Sequence, residues 1–140
     1  MKTVISQNSF HRMLYGGMGP IAAVAIILAI LAIHPSAIPE HASITIWLTV
    51  IVHLLIIVAL IWTIKVYKRG DDRKELQIIA GVTLIVFGVL ISTGSFAYPD
   101  SPYQPSVGSW MFICAGCDIV TGLFILIARI FFKIRPFQSK

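Results

Sequence analysis

The stretch ITIWLTVIVHLLIIVALIWTI, Ile44–Ile64, decides the fold. It holds one ionisable residue, His53, and no alternation of apolar with polar positions. A helix needs roughly 20 apolar residues to span about 30 Å of hydrocarbon, and this run has that length. A lone apolar strand in lipid would leave its backbone groups unpaired. Helix is therefore the predicted state, and the unbroken apolar pattern argues against a β-barrel.

Working outward, three more runs have the same character. With the first they give predicted helices at about 14–33, 44–64, 77–97 and 110–132. The whole chain, 140 residues, reads as one all-α membrane domain, an integral four-helix bundle. Composition agrees: 57% of residues are hydrophobic and 12% charged, against roughly 25% charged in a soluble domain. The apolar part of the first run, Ile21–Ile33, has the length of a signal-peptide core, but no A-x-A site follows it, so it is read as a retained helix.

Orientation follows from the basic residues. Lys2 and Arg12 precede helix 1. Lys65, Lys68, Arg69, Arg73 and Lys74 lie between helices 2 and 3, and Arg129, Lys133, Arg135 and Lys140 end or follow helix 4. The positive-inside rule puts both termini and the middle loop in the cytoplasm, in a bacterial inner membrane or a plasma membrane. The net charge of +5 thus speaks for a membrane surface and not for nucleic acid. Aromatic residues stand where interface anchors are expected: Trp47 and Trp110 at the outer ends, Tyr15, Trp62 and Tyr67 at the inner boundary, and Tyr98 and Tyr103 in the outer 3–4 loop.

Punctuation is legible between the helices. Gly16, Gly17, Gly19 and Pro20 crowd the start of helix 1, where Pro20 cannot donate to the Gly16 carbonyl; a kink or a late helix start is expected, with close packing at the glycines as the leading reading and a bound lipid head group or a hinge as the alternative. Gly70 can close helix 2. Asp71 or Asp72 can cap helix 3, and Asp72 with Glu75 has capping-box spacing. On helix 3, Gly81, Gly88 and Ser95 recur every seven residues and form a packing seam.

Two ionisable residues lie inside the spans, where they are costly. Counting from the outer ends, His53 and Asp118 both lie about 12–14 Å deep at 1.5 Å per residue. Thr45, Thr49 and His53 form one stripe; Cys114, Asp118, Thr121 and Gly122 form another. Both stripes are expected to face the bundle interior, with His53 and Asp118 as an intramembrane polar pair across helices 2 and 4. A hydrogen-bonded knot that fixes helix register is the leading reading, and a proton relay or ligand site is the alternative.

Cys114-Ala115-Gly116-Cys117 puts two thiols about one turn apart near the outer end of helix 4. Such a dithiol could exchange electrons with a membrane quinone. The arrangement resembles the vitamin K epoxide reductase family, also four helices with C-x-x-C on the last; the second cysteine pair of that family has no counterpart, since this chain has 2 cysteines. His34 and His41 in the first outer loop match no standard metal spacing, and with only His53 deep in the membrane, bis-histidine haem ligation is not expected.

The second half of the chain resembles the small four-helix membrane family called domain of unknown function 423, the transmembrane protein 256-like proteins. The carrying residues are Val50-Ile51-Val52-His53-Leu54-Leu55, Ser92-Thr93-Gly94-Ser95-Phe96-Ala97-Tyr98, Pro105-Ser106-Val107-Gly108 and Phe112-Ile113-Cys114-Ala115-Gly116-Cys117. The resemblance covers about Ile44 to Phe132; the family's G-A-F-G-A-H motif after helix 1 is absent, with His34 at its place. It implies the same topology and no established activity.

These readings converge on a non-catalytic accessory or structural subunit of a membrane complex, or a homo-oligomer, in contact with the lipid bilayer and holding no metal. The alternatives are a thiol/quinone redox protein using Cys114, Cys117, His53 and Asp118, and a small oligomeric pore or transporter.

Overall fold

The computed structural model describes residues 3–33, 40–67, 69–93 and 105–134. A short strand β1 (Thr3–Ile5) precedes helices α1 (Gln7–Ile33), α2 (Glu40–Tyr67), α3 (Lys74–Ser92) and α4 (Pro105–Phe131), and strand β2 (Phe132–Ile134) follows. All four helices are long and apolar enough to cross a membrane, with mean hydropathy between 2.1 and 2.8 over their most apolar stretches. The helices pack in a ring, α1 against α2 and α4, and α3 against α2 and α4. Helices α2 and α4 are thus diagonal to each other and not neighbours.

Helices α1, α2 and α3 extend beyond the sequence expectation at the end of the bundle that carries the chain termini, and α2 and α4 do so at the opposite end. Helix α1 begins at Gln7, not near Leu14, and runs through Pro20. The late start is therefore wrong, for a local reason. Ser6 caps the helix, its Oγ accepting the Ser9 N–H at 3.2 Å, and Phe10, His11 and Leu14 gain burial along the added turns. Pro20 lacks the N–H that would reach the Gly16 carbonyl, and the helix continues past it nonetheless. Helix α3 begins at Lys74, three residues before expectation, and its last described turn ends at Thr93. The 3–4 loop, Ser95, Tyr98, Tyr103 and His34 lie outside the described residues, as does the His41 side chain. Strands β1 and β2 pair in parallel, Thr3 opposite Phe132 and Ile5 opposite Ile134, and tie the two ends of the chain together.

Gly70 closes α2 at φ +91°. Its N–H donates to the Tyr67 carbonyl at 2.9 Å and that of Asp71 to the Val66 carbonyl at 3.2 Å. These two bonds are the Schellman pattern, which satisfies the last carbonyls of a helix. The expected acidic cap on α3 is absent: Arg73 is the N-cap residue and makes no side-chain cap bond. Asp72 is engaged elsewhere, with Arg129, and Asp71 pairs with Arg73 at 2.8 Å.

The closest packing is between α3 and α4, where glycines let backbones touch. A Cβ on Gly122 would stand 2.6 Å from the Gly81 carbonyl oxygen, and one on Gly88 2.9 Å from that of Ala115. The seam is therefore built from both helices, Gly81 and Gly88 on α3 and Gly122 on α4. Inside the ring lie two apolar layers. One, toward the α1–α2 and α3–α4 connections, contains Leu28, Ile46, Ile91 and Cys114. The other, toward the chain ends, contains Phe10, Leu60, Leu84 and Ile125. Much of the exterior is apolar too: Ile26, Leu55, Val58, Phe112 and Val120 are 60–69% exposed, as suits contact with lipid.

Candidate functional site

His53 and Asp118 sit at the level between the two apolar layers. Helical periodicity turns both inward, and both are 0% exposed. The His53 Nε2 lies 3.0 Å from Oδ1 and 2.9 Å from Oδ2 of Asp118. The bond thus runs across the bundle axis from α2 to α4, joining helices that otherwise barely touch. The other ring nitrogen, Nδ1, is 2.8 Å from the Thr49 carbonyl, one turn earlier on α2. Phe87 of α3 meets the imidazole edge-on, with ring centroids 6.1 Å apart.

The partners fix the protons. A carbonyl only accepts, so Nδ1 carries a hydrogen and donates to Thr49. Nε2 then either donates to the Asp118 carboxylate or accepts from its protonated form. A neutral ring facing an ionised carboxylate would set two lone pairs against each other. One proton is therefore shared between Nε2 and Asp118, and the pair as a whole is neutral in either form. That neutrality is what burial in a low-dielectric interior requires.

The remaining stripe residues divide. Thr49 is 1% exposed, and its hydroxyl donates to the Thr45 carbonyl at 2.9 Å. Thr45 itself is exposed, so it leaves the expected inward stripe. On α4, Thr121 and Gly122 are buried but look toward α1 and α3, with Thr121 Cγ2 nearest Gly17. Cys114 is 0% exposed in the apolar layer toward the α1–α2 and α3–α4 connections, and Cys117 packs partly buried against that layer; both are free thiols. Cys114 thus occupies its place as a small apolar side chain. Among the described residues no group of three or more His, Cys, Asp or Glu could hold a metal ion.

A second buried polar cluster lies at the end of the bundle carrying the chain termini, and sequence reasoning missed it. Arg129 is 5% exposed and pairs with Asp72 of the α2–α3 loop. Its guanidinium lies 5.4 Å from the Phe10 ring centroid, a cation–π contact. His11 meets Tyr67 edge-on at 5.5 Å. Tyr67 is 8% exposed and so is not the interface anchor expected of it. Gln77 Nε2 donates to Thr63 Oγ1 at 3.1 Å, and Thr63 donates to the Leu60 carbonyl at 2.7 Å. Arg129 Nε and Gln77 Oε1 have no hydrogen-bond partner among the described residues. The missing signal was position: Arg129 counted as a boundary charge, although Ala128 and Ile125, on its own helix, face the core.

No family model matches the chain, and no similar curated protein or similar solved structure is found.

Proposed function

We propose that this chain is a non-catalytic multi-pass membrane protein that serves as an accessory or structural subunit, with both termini and the α2–α3 loop in the cytoplasm of a bacterial or plasma membrane. One observation carries the reading. The two ionisable groups deep in the spans are turned on each other, 0% exposed, and bonded across the bundle. A group that handles a substrate or passes ions needs access; both ring nitrogens of His53 are taken, by Asp118 and the Thr49 carbonyl, and neither side chain is exposed. It acts as a clamp that sets the rotation of α2 and α4. The exterior of the spans, apolar and studded with exposed large side chains, is free for lateral contacts with other membrane helices.

The thiol/quinone alternative has less support. It needs Cys114 as a reachable thiolate, and reactive cysteines sit in exposed, electropositive surroundings; Cys114 is enclosed by Leu28, Ile46 and Met111. The experiment is purification from native membranes in mild detergent, with wild type and a Cys114→Ala/Cys117→Ala variant side by side. The accessory reading expects both to co-purify with the same membrane polypeptides at fixed stoichiometry. A solitary chain carrying a quinone, or a function lost with the thiols while the fold persists, would replace it by the redox reading.

A further inference from the structure

The glycine cluster of α1 is not used in the clamp or in the cores. Only Gly17 packs, 3.7 Å from Thr121 Cγ2 as judged by a Cβ placed there; side chains at Gly16 and Gly19 would meet nothing within 4 Å. Beside Gly16 lies a groove of about 330 Å³ between α1 and α4, lined by Met13, Gly16, Pro20, Val120, Thr121 and Phe124. That volume is at the lower end of the roughly 300–1,000 Å³ typical of small-molecule sites. The lining is almost wholly apolar, so hydrocarbon suits it.

The mouth is different. Toward the helix start, Arg12 stands one turn from Gly16 and Ser9 two turns from it, on adjoining lines of the same helix, and both are exposed. No carboxylate pairs with Arg12 among the described residues. On α1 and α4 the only acidic residue is Asp118, buried and committed to His53. The groove is therefore an apolar slot with an exposed arginine one helical turn beyond Gly16 and, a turn further, the Ser9 hydroxyl, which is 2.8 Å from that of Ser6.

We infer that the α1–α4 groove is a binding site for an anionic phospholipid, one acyl chain lying along Gly16 and Pro20 and the phosphate at Arg12 and Ser9. A surface arginine attracts anionic lipid by about 1 kcal/mol, which is about a fivefold preference. Ligand-retaining native mass spectrometry of the full chain tests this, with phosphatidylglycerol and phosphatidylcholine of identical chains. Wild type is expected to retain phosphatidylglycerol about fivefold better. Arg12→Gln should erase that preference and keep chain binding, Lys65→Gln on α2 should leave it intact, and Gly16→Leu, which grows into open groove, should weaken both lipids while circular dichroism stays unchanged. Four results would overturn the site: equal retention of the two lipids by wild type, a preference that survives Arg12→Gln, equal loss in Lys65→Gln, or displacement by free glycerol phosphate. A wild-type dimer that Gly16→Leu converts to monomer, with lipid retention unaltered, would assign the groove to a second copy of the chain.

Discussion

The Thr49 carbonyl holds the Nδ1 hydrogen of His53 and leaves Nε2 and Asp118 to share one proton. Two consequences can be measured. His53→Leu or Asp118→Leu alone strands the partner, and each should cost about 1–3 kcal/mol, the scale of an unsatisfied buried polar group. The double change to leucine should cost less than the sum, and a double-mutant cycle in detergent unfolding reads the coupling. Additive costs would mean that the bond contributes nothing. Asp118→Asn separates the two proton arrangements. Its amide N–H can donate to a neutral Nε2 and keep the pair uncharged, so stability should stay within about 1 kcal/mol of wild type. A loss as large as that of Asp118→Leu would show that the pair exists only as imidazolium and carboxylate. Equal depth made this pair legible in the sequence. The diagonal crossing was not legible, because hydropathy gives depth and says nothing of how four helices are arranged around an axis.

The α3–α4 seam depends on missing side chains. Gly122→Ala would bring a methyl to 2.6 Å from the Gly81 carbonyl oxygen, and Gly88→Ala one to 2.9 Å from that of Ala115. Backbone oxygens cannot step aside as a flexible side chain can, so each change should destabilise by about 1–3 kcal/mol, as overpacking does. Gly116→Ala, with nothing within 4 Å of the new methyl, should be neutral or stabilising, since alanine is the better helix former. Thermal unfolding of the three variants checks the ranking; equal effects would deny that the helices touch at the seam. The repeat of Gly81 and Gly88 announced half of this contact. Gly122 was read with the Asp118 stripe, because a helical wheel groups residues by angle and cannot say which neighbour each one meets. The α2–α3 turn shows the same limit. Gly70 was readable, as a positive φ favours glycine. The capping-box spacing of Asp72 and Glu75 misled, because Arg129, far away in sequence, takes the Asp72 carboxylate.

At the scale of the whole molecule, four long apolar helices enclose His53 and Asp118 and present an apolar flank. The basic residues then predict direction. With both native cysteines changed to alanine, Ser36→Cys and Ser101→Cys should react in intact cells with an impermeant thiol reagent, and Gly70→Cys only after the cells are opened. The reverse pattern would invert the topology. The central claim is that the buried pair is architecture and not chemistry, and Asp118→Asn in the native host tests it most directly, because an amide can keep the hydrogen bond but cannot take up or release a proton at physiological pH. The account predicts that a deletion strain carrying Asp118→Asn at wild-type protein level grows and assembles its membrane complexes as wild type does. A variant that is folded and inserted yet as defective as the deletion would contradict it, and would make the shared proton of His53 and Asp118 the functional group.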